Sequence, residues 1–380
     1  MLQVDILSPQ DLSSRDRETW QAFRKATPAF QSPLLGPDFA ETVAEVRSDT
    51  AVAVWRRGGQ TIGFLAHHRR HAGLARPIGA PWSDYHALIT APGETLDTEA
   101  ALRAAGISAF RFSGLLDPHG LFDGATAADV ETYRIAFQDS GEAYWETLRA
   151  QSPKRFKNLR RLEHKLEREL GAPVLARDTN APAFEQLLAW KRDQFRRTGL
   201  HDVLNPSWSH LLMQRLFRKR SGALQGLLLT LRVDGKPIAG HFGVREGEAF
   251  HPWIAAFDPA LAAYSPGQTF ISEAIRAMPR LGISSYDLAA GSDHYKAPFA
   301  SEVGTARVGV LRSRSAGPIT FDRAADFAGA AFGPAGATAV RRLGRRVDHI
   351  AETELTLGGR MQGLAAAIAA SSLRFSAEMH

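Results

Sequence analysis

The stretch Gly59-Gln60-Thr61-Ile62-Gly63 has a counterpart in Gly235-Lys236-Pro237-Ile238-Ala239, which lies 176 residues later in the chain (235 minus 59). The stretch Gly106-Ile107-Ser108-Ala109-Phe110 has a counterpart in Gly282-Ile283-Ser284-Ser285-Tyr286 at the same distance (282 minus 106 is 176). Two matches in the same order and at one offset indicate that a long segment of the chain is duplicated.

A third match lies between these two, where Pro92–Leu96 corresponds to Pro266–Phe270 at an offset of 174 residues. Solenoid repeats have periods of about 20 to 50 residues, so this period belongs to whole domains. The sequence therefore predicts two copies of one α/β unit. We call them the first copy (residues 1–143) and the second copy (residues 172–312).

Composition indicates an ordinary globular protein, with 44% hydrophobic and 23% charged residues. The chain has no cysteine, which excludes disulfides, thiolate metal sites and a cysteine nucleophile. The start of the sequence lacks a signal-peptide pattern, and the longest apolar stretch is too short to cross a bilayer, so we expect a cytoplasmic protein. The net charge of +6 suits anionic partners, although arginine-rich composition alone would also produce it.

Both copies show the same order of predicted elements: a strand, two helices, three antiparallel strands, a helix and a strand. The second copy adds a final strand. This predicts an α/β (α+β) fold with a mixed, mainly antiparallel sheet in each copy. Residues 144–171 are predicted to form a basic linker helix from Pro153. Residues 313–380 are rich in Arg and Ala and are predicted to form a helical tail.

Several short motifs carry a family resemblance: Pro81–Tyr85, Pro153–Arg155, Asn158–Arg161, Trp190–Arg192, Asp234–Ala239, Tyr264–Gly267, Asp287-Leu288, Gly291 and Tyr295-Lys296. Together they resemble the CelD-type acetyltransferases of bacterial exopolysaccharide operons over roughly residues 25–312. Those proteins pair two acyl-CoA N-acyltransferase (GNAT) domains and are related to FemAB-type transferases, which use aminoacyl-tRNA. The likeness is greatest to the holdfast-polysaccharide acetyltransferases of stalked bacteria. It implies acetyl-CoA as donor, an amino-sugar acceptor and regulation by cyclic-di-GMP.

The donor site is predicted at the start of the helix after the third hairpin strand, at Tyr264, Ser265, Gly267, Gln268 and Thr269. A helix N-terminus offers backbone N–H groups and partial positive charge to a pyrophosphate. The same segment also fits a plain Pro-Gly turn, since it has one glycine where acetyl-CoA signatures have several. The matching segment of the first copy carries Glu94 and Asp97, which would repel a pyrophosphate, so we expect the donor site in the second copy.

The predicted catalytic residues are Asp287, Lys296, Tyr295 and His241. Asp287 corresponds to Arg111 in the first copy, so its carboxylate is specific to the second; it could orient an amine, act as base or form a salt bridge. By resemblance, Lys296 binds substrate or stabilises the oxyanion; the alternative is an exposed lysine on a loop. Tyr295 is a candidate acid for the leaving thiolate. His241 could act as a base or be structural.

The other predicted ligand contacts are Asp84 and Tyr85, which would line a shared acceptor cleft or form a polar turn, and Arg155 in the basic helix. The histidines at 201, 251 and 294 lack metal-ligand spacing, so no metal is expected. The basic helix is either a solvated surface or a dock for tRNA or a carrier pyrophosphate.

The tail contains Arg341, Arg342, Arg345 and Asp348, which suit cyclic-di-GMP because arginine binds guanine edges and phosphates. Similar Arg-x-x-Asp spacing occurs by chance in an arginine-rich tail. A basic tail lying on a membrane surface is the rival interpretation, and would make the protein peripheral at the inner membrane.

The sequence thus predicts an acetyltransferase that acts on an amino sugar or polysaccharide precursor without a covalent enzyme intermediate, and no DNA partner is expected. Two alternatives stay open. One is a FemAB-like transferase that uses aminoacyl-tRNA, and the other is a non-catalytic cyclic-di-GMP effector.

Overall fold

The structure is a computed structural model, which describes residues 1–291, 296–313, 344, 347–356 and 358–365. The first copy follows the chain order β1 (Leu2–Leu7), α1 (Ser14–Ala26), α2 (Pro37–Ala44), β2 (Thr50–Arg57), β3 (Gln60–Arg69), β4 (Leu74–Pro77), β5 (Ile89–Thr90), α3 (Thr98–Ala104), β6 (Ala109–Leu115) and β7 (Thr126–Ala136). Local chemistry accounts for the helix ends. Ser13 caps α1 by accepting from the Asp16 N–H, and Pro37 begins α2, where a missing N–H is tolerated.

Two helices then lead into the second copy, α4 (Gly141–Gln151) and α5 (Pro153–Leu170). The second copy comprises β8 (Val174–Asp178), α6 (Ala181–Thr198), α7 (Ser207–Arg218), β9 (Leu224–Val233), β10 (Lys236–Glu246), β11 (Ala249–Phe257), α8 (Pro266–Ala277), β12 (Ser285–Ala290) and β13 (Glu302–Arg312). Element by element this order repeats the first copy, with β4 matching β11, β6 matching β12 and β7 matching β13.

The two copies share one sheet of thirteen strands in the described part of the chain. The order along the sheet is β1-β2-β3-β4-β6-β13-β7-β12-β11-β10-β9-β8, and β5 pairs with β3. The pairs β4–β6 and β11–β12 are parallel, while the other neighbours are antiparallel. The last strand of each copy pairs with the penultimate strand of the other copy. The two halves are therefore joined by an exchange of β7 and β13.

The register of this exchange preserves the sequence offset. Phe110 in β6 pairs with Leu311 in β13, and Tyr286 in β12 pairs with Ile135 in β7. Both members of the second pair are related to members of the first by 176 positions (286 minus 110, and 311 minus 135). The central four strands thus have the approximate two-fold symmetry that a duplication produces.

Side chains alternate between the two faces of the sheet, so neighbouring residues in β11 and β12 enter different environments. Phe250 and Tyr286 are fully buried on the face covered by α8, where their rings stack at 5.7 Å. Burial of each such ring contributes about 1.5–3 kcal/mol. His251 and Asp287, one residue further along each strand, consequently lie on the opposite face, towards the first copy.

The predicted fold class is confirmed. The sequence pattern also predicts strands over Leu224–Val233 and Ala249–Phe257, and both form with these bounds. It further predicts a strand near Tyr85–Thr90, which is wrong for most of its length. Only Ile89–Thr90 is a strand, because residues 84–88 run against β6 and make a single bridge there, between His86 and Leu115. The domain boundaries at 143, 172 and 312 stay predictions.

Candidate functional site

The parallel strands β11 and β12 pair only at their starts, through Ala249 with Ser285 and Phe250 with Tyr286. The opposite edge of β12 pairs with β7 along its length, from Ser285 to Ala290. β11 also contains a bulge, since Trp253 has no partner opposite it in β10. The backbone edge of β11 is therefore not paired with β12 past Phe250, and an opening remains between the strands.

The N-terminus of α8 follows β11 and is not capped by any side chain. Ser265 at the cap position has a left-handed backbone (φ 52°), and the first turn contains no acidic residue. The equivalent helix α3 differs, because Asp97 accepts from the Ala100 N–H at 3.0 Å and so occupies the helix end. Glu94 beside it pairs with Arg57 at 2.6 Å. Of these two matched helix ends, only that of α8 lacks both a side-chain cap and a carboxylate in the first turn, although its Gln268 and Thr269 N–H groups donate to the Ser265 carbonyl.

The other residues predicted to bind the donor differ in accessibility. Gln268 is exposed, and Gly267 and Tyr264 are half-buried, with the Lys165 ammonium 4.7 Å from the centre of the Tyr264 ring. Thr269 is only 1% exposed, and its hydroxyl oxygen has no hydrogen-bond partner among the described residues. Its side chain thus belongs to the core, whereas the other predicted donor residues are at least partly exposed at the start of α8.

A network of four polar side chains links the two copies beside this opening. His251 Nε2 lies 2.7 Å from Asp84 Oδ2, and His251 Nδ1 lies 3.7 Å from Asp287 Oδ2, which is an ion-pair distance rather than a hydrogen bond. The Tyr85 hydroxyl donates to Asp287 Oδ1 at 3.0 Å. Asp84 and Tyr85 come from the first copy and the other two from the second. The structure therefore places Tyr85 against Asp287 and Asp84 against His251.

The network holds a buried positive charge. Burial alone would lower the pKa of His251, but the carboxylates of Asp287 and Asp84 outweigh it and raise this pKa to about 10. His251 is therefore an imidazolium at neutral pH. Burial, together with the Asp287 carboxylate, raises the pKa of Tyr85 well above its ordinary value, so its phenol stays protonated and acts as a hydrogen-bond donor.

Close backbone contacts fix the positions of these side chains. Gly114 in β6 lies against the Asp84 carbonyl oxygen, which an added Cβ would overlap, so a glycine is required for the 84–88 segment to approach. His86 Nε2 accepts the backbone N–H of Gly114 at 3.1 Å. In β12, the Ala289 backbone adopts φ 61° and its N–H donates to Asp287 Oδ1 at 2.6 Å. Both carboxylates are thus held by backbone geometry.

Asp287 and Tyr85 also line a cavity of about 560 Å³ between the copies. Its acidic lining is partly neutralised, since Glu246 pairs with Arg24 at 2.6 Å and Glu302 pairs with Arg134. Within the described residues Glu248 has no ion-pair partner, and with Asp287 it leaves the cavity negatively charged. Such a cavity suits a polar ligand that carries an amine.

His241, a predicted catalytic residue, lies on the other face of the sheet. Its Nδ1 is 2.5 Å from the Tyr286 hydroxyl, and its ring stacks on Phe270 at 4.1 Å. Burial, assisted by the Lys191 charge, lowers the pKa of His241 to about 3. This placement favours the structural interpretation over that of a base acting with Asp287.

The remaining predicted residues are Lys296, Arg155 and Tyr295. Lys296 is 8% exposed, and its ammonium donates to the Ala290 carbonyl at the end of β12 at 3.0 Å. The Arg155 guanidinium lies 5.1 Å from the Phe299 ring, and burial lowers its pKa. Tyr295 lies outside the described residues, so its role stays a prediction.

The predicted cyclic-di-GMP residues Arg341, Arg342 and Arg345 also lie outside the described residues. Asp348 is described and forms ion pairs with Arg76 and Arg111 of the first copy. Its carboxylate is therefore already neutralised by two arginines.

The described residues contain no group of three or more His, Asp or Glu side chains arranged to hold a metal ion. Across the same residues, no helix has both the length and the apolar character that spanning a membrane requires.

Sequence reasoning missed His251, which it considered only as a metal ligand. The sequence offset of 176 pairs Asp287 with Arg111 but pairs His251 with Ala75, so it gives no signal for this histidine. Only the strand pairing, in which Ala75 and Phe110 take the places of Phe250 and Tyr286, matches His251 with Arg76.

Residues 153–297 match the family model described as an acetyltransferase (GNAT) domain. Among solved structures, FemX is similar over 80% of this chain and 96% of its own, with 10% identity and a TM-score of 0.52. A tandem GNAT protein from the clavulanic acid biosynthesis pathway is similar over 84% of this chain and all of its own (14% identity, TM-score 0.46). The C-terminal domain of a protein named as a lysylphosphatidylglycerol synthetase, from Agrobacterium fabrum, is similar over 78% and 92% (14% identity, TM-score 0.46).

No curated protein sequence matches the chain significantly. At these identities the FemX likeness concerns the fold, and the family match concerns the second copy with its preceding helix α5. Residues 153–297 are therefore similar to GNAT acetyltransferase domains, and the fold of the chain resembles that of FemX.

Proposed function

We propose that this protein transfers an acetyl group from acetyl-CoA to the amine of an amino-sugar intermediate in the biosynthesis of a holdfast-type exopolysaccharide. The observation that carries the proposal is the coincidence of three features along β11 and the element that follows it. These are the opening between β11 and β12, the uncapped terminus of α8 and the Asp84–His251–Asp287–Tyr85 network.

The donor would lie with its pantetheine arm in the strand opening and its pyrophosphate at the α8 N-terminus. Backbone N–H groups and the helix dipole stabilise phosphate charge at such a terminus. The acceptor would enter the cavity between the copies, where Glu248 and Asp287 attract its ammonium group.

Before the transfer step the acceptor ammonium loses one proton to solvent. The neutral amine nitrogen then attacks the thioester carbon, the new C–N bond forms and the C–S bond breaks. Asp287 accepts the amine proton, and the coenzyme A thiolate is protonated by solvent. The His251 imidazolium stays charged and holds Asp84 in place, while the Tyr85 hydroxyl orients Asp287. Lys296 is proposed to support the developing oxyanion. No enzyme-bound acyl intermediate is required, since the chain has no cysteine nucleophile.

The first experiment is calorimetric titration of the full chain with acetyl-CoA, comparing Gln268→Glu with Glu94→Gln. The first variant introduces a carboxylate at the open α8 terminus on an exposed position, so acetyl-CoA affinity should fall about tenfold or more. The second removes the matching carboxylate of the first copy and should leave affinity unchanged. Equal affinity in the two variants, or no binding by the unmodified chain, would refute the donor site.

Transfer itself is measured by release of free thiol with glucosamine-type acceptors. Turnover that depends on an amine at the acceptor, and that disappears when the amine is blocked, supports the acceptor class. Turnover with hydroxyl-only sugars would redirect the proposal to O-acetylation.

A second candidate is transfer from aminoacyl-tRNA, which the surface of α5 favours. Lys154, Lys157, Arg160 and Arg161 are exposed along an open groove of about 1020 Å³ between α4 and α5. A cationic strip of this kind attracts a phosphate backbone. Binding of charged tRNA that is lost in Lys154→Ala/Lys157→Ala/Arg160→Ala, combined with no acetyl-CoA binding, would replace the first proposal with this one.

We further propose that cyclic-di-GMP regulates the enzyme through the tail and that the protein acts in the cytoplasm at the inner-membrane surface. Arg341, Arg342 and Arg345 changed together to Ala should eliminate cyclic-di-GMP affinity in calorimetry. Retained affinity would place that site elsewhere or remove it from the tail.

A further inference from the structure

The first copy contains a cleft built like the donor opening of the second copy. β4 and β6 are parallel and pair at Ala75 and Phe110, just as β11 and β12 pair at Phe250 and Tyr286. In both copies the parallel pairing ends at this point. The cleft of the first copy therefore begins one residue later, at Arg76 and Arg111.

These two positions correspond to His251 and Asp287 in the second copy. Where the second copy places an imidazolium next to a carboxylate, the first copy places two guanidinium groups. Arg76 is 5% exposed. A guanidinium buried to this extent is costly unless anions accompany it, so the cleft requires negative charge.

The chain supplies that charge from its own C-terminal segment, the helical residues 347–353. Asp348 pairs with Arg76 at 3.2 Å and also with Arg111, and Glu352 pairs with Arg76 at 2.5 Å. Arg70 donates to the Glu352 carbonyl oxygen at 3.1 Å. Two carboxylates thus occupy the arginine cleft from within the same molecule.

Further cations surround the cleft. Burial and the charges of Arg47, Arg360 and Arg76 together lower the pKa of Arg70 to about 10, although Asp49 opposes them. Asp49 is itself paired with Arg47 at 2.6 Å. The positive potential of this region is therefore offset mainly by Asp49, Asp348 and Glu352.

The same segment also contacts the second copy. The Trp208 indole N–H donates to the Thr353 carbonyl at 3.0 Å, and Glu354 lies 3.6 Å from His201. The segment that fills the arginine cleft therefore contacts both the first copy and α7 with the loop before it. Its release from the cleft would weaken these contacts between the two copies.

We propose that the cleft of the first copy is an anion-binding site that the chain fills with Asp348 and Glu352, and that a phosphate or pyrophosphate group competes with this segment for Arg76 and Arg111. The site is separate from the donor opening of the second copy, so it does not depend on the proposed acetyl transfer. Its occupant would be the phosphate portion of a ligand, since two forked guanidinium groups match phosphate oxygens.

The test uses the full chain with Asp348→Asn and Glu352→Gln together, which keeps the shape of the segment and removes its charge. Inorganic pyrophosphate is the probe. Its binding is measured by titration calorimetry and by its effect on the midpoint of thermal unfolding. We expect the double variant to bind pyrophosphate about tenfold or more tightly than the unmodified chain, because the internal competitor is gone. The double variant should have a lower midpoint of thermal unfolding than the unmodified chain, and pyrophosphate should raise it.

The matched control adds Arg76→Gln to the double variant. It removes the cleft cation and should abolish the gain, while any pyrophosphate bound at the α8 terminus is unaffected. The proposal is overturned if the double variant gains no affinity, or if the triple variant gains as much. If the double variant does not fold, Glu352→Gln alone is compared with Arg76→Gln/Glu352→Gln by the same criterion.

Discussion

Substitution of His251 by glutamine should remove a pH-dependent part of the stability of this protein. The imidazolium lies fully buried between Asp84, at 2.7 Å, and Asp287, at 3.7 Å, and its pKa is raised from 6.5 to about 10. A group whose pKa is raised on folding stabilises the folded state fully below its unfolded pKa. That contribution is lost as pH rises through the folded value, so the window runs from about pH 6.5 to pH 10.

The difference between these two pKa values corresponds to roughly 5 kcal/mol of unfolding free energy across the window. Urea denaturation of the unmodified chain and of His251→Gln at pH 6, 8 and 9.5 measures it. We expect the variant to be several kcal/mol less stable at pH 6, since two buried carboxylates lose their counter-charge. The gap between the two proteins should narrow steadily as pH rises.

His71→Gln serves as the control, because His71 is exposed on the loop before β4. This variant should have the same unfolding free energy as the unmodified chain at every pH. A gap between His251→Gln and the unmodified chain that is the same at pH 6 and pH 9.5 would refute the reasoning. A nuclear magnetic resonance titration that shows the His251 ring losing its proton near or below pH 6.5 would refute it as well.

Three further substitutions test the site. Asp287→Asn should lower kcat for acetyl transfer about 100-fold with unchanged acetyl-CoA affinity, since it removes the proposed proton acceptor; unchanged kcat would exclude that role. Lys296→Ala should abolish transfer while circular dichroism shows the fold intact, and full turnover would remove this residue from the mechanism. Gly114→Ala should force the Asp84 segment away from β6, at a cost of about 1–3 kcal/mol measured by urea denaturation, with loss of transfer; a fully active and stable variant would contradict the contact.

The duplication could be predicted because short stretches of sequence recur in the same order and specify the same local elements in both copies. Turn residues such as Asp234-Gly235 and the alternation of the flanking strands specify a hairpin without reference to the rest of the chain. The contrast at the helix ends could also be predicted, since a capping carboxylate such as Asp97 acts on backbone groups three residues away. The roles of Asp84 and Tyr85 in a shared cleft were an expectation drawn from family resemblance.

The position of His251 could not be predicted in the same way. Its partner Asp84 is 167 residues away in sequence, and their contact depends on how the two copies pack. His241 illustrates the opposite case, since a strand position alone does not show which face of the sheet a side chain occupies. Only the stacking on Phe270 decides that His241 belongs to the core.

The sequence by itself determined that the chain contains two copies of an α/β unit and that the second copy has the open helix end. These properties follow from contacts between residues close in the chain. The tertiary structure alone decided that β7 and β13 exchange between the copies, that Asp84 meets His251, and that Asp348 enters the first cleft. Such pairings join distant segments, and they are selected by packing and charge compensation that no local pattern encodes.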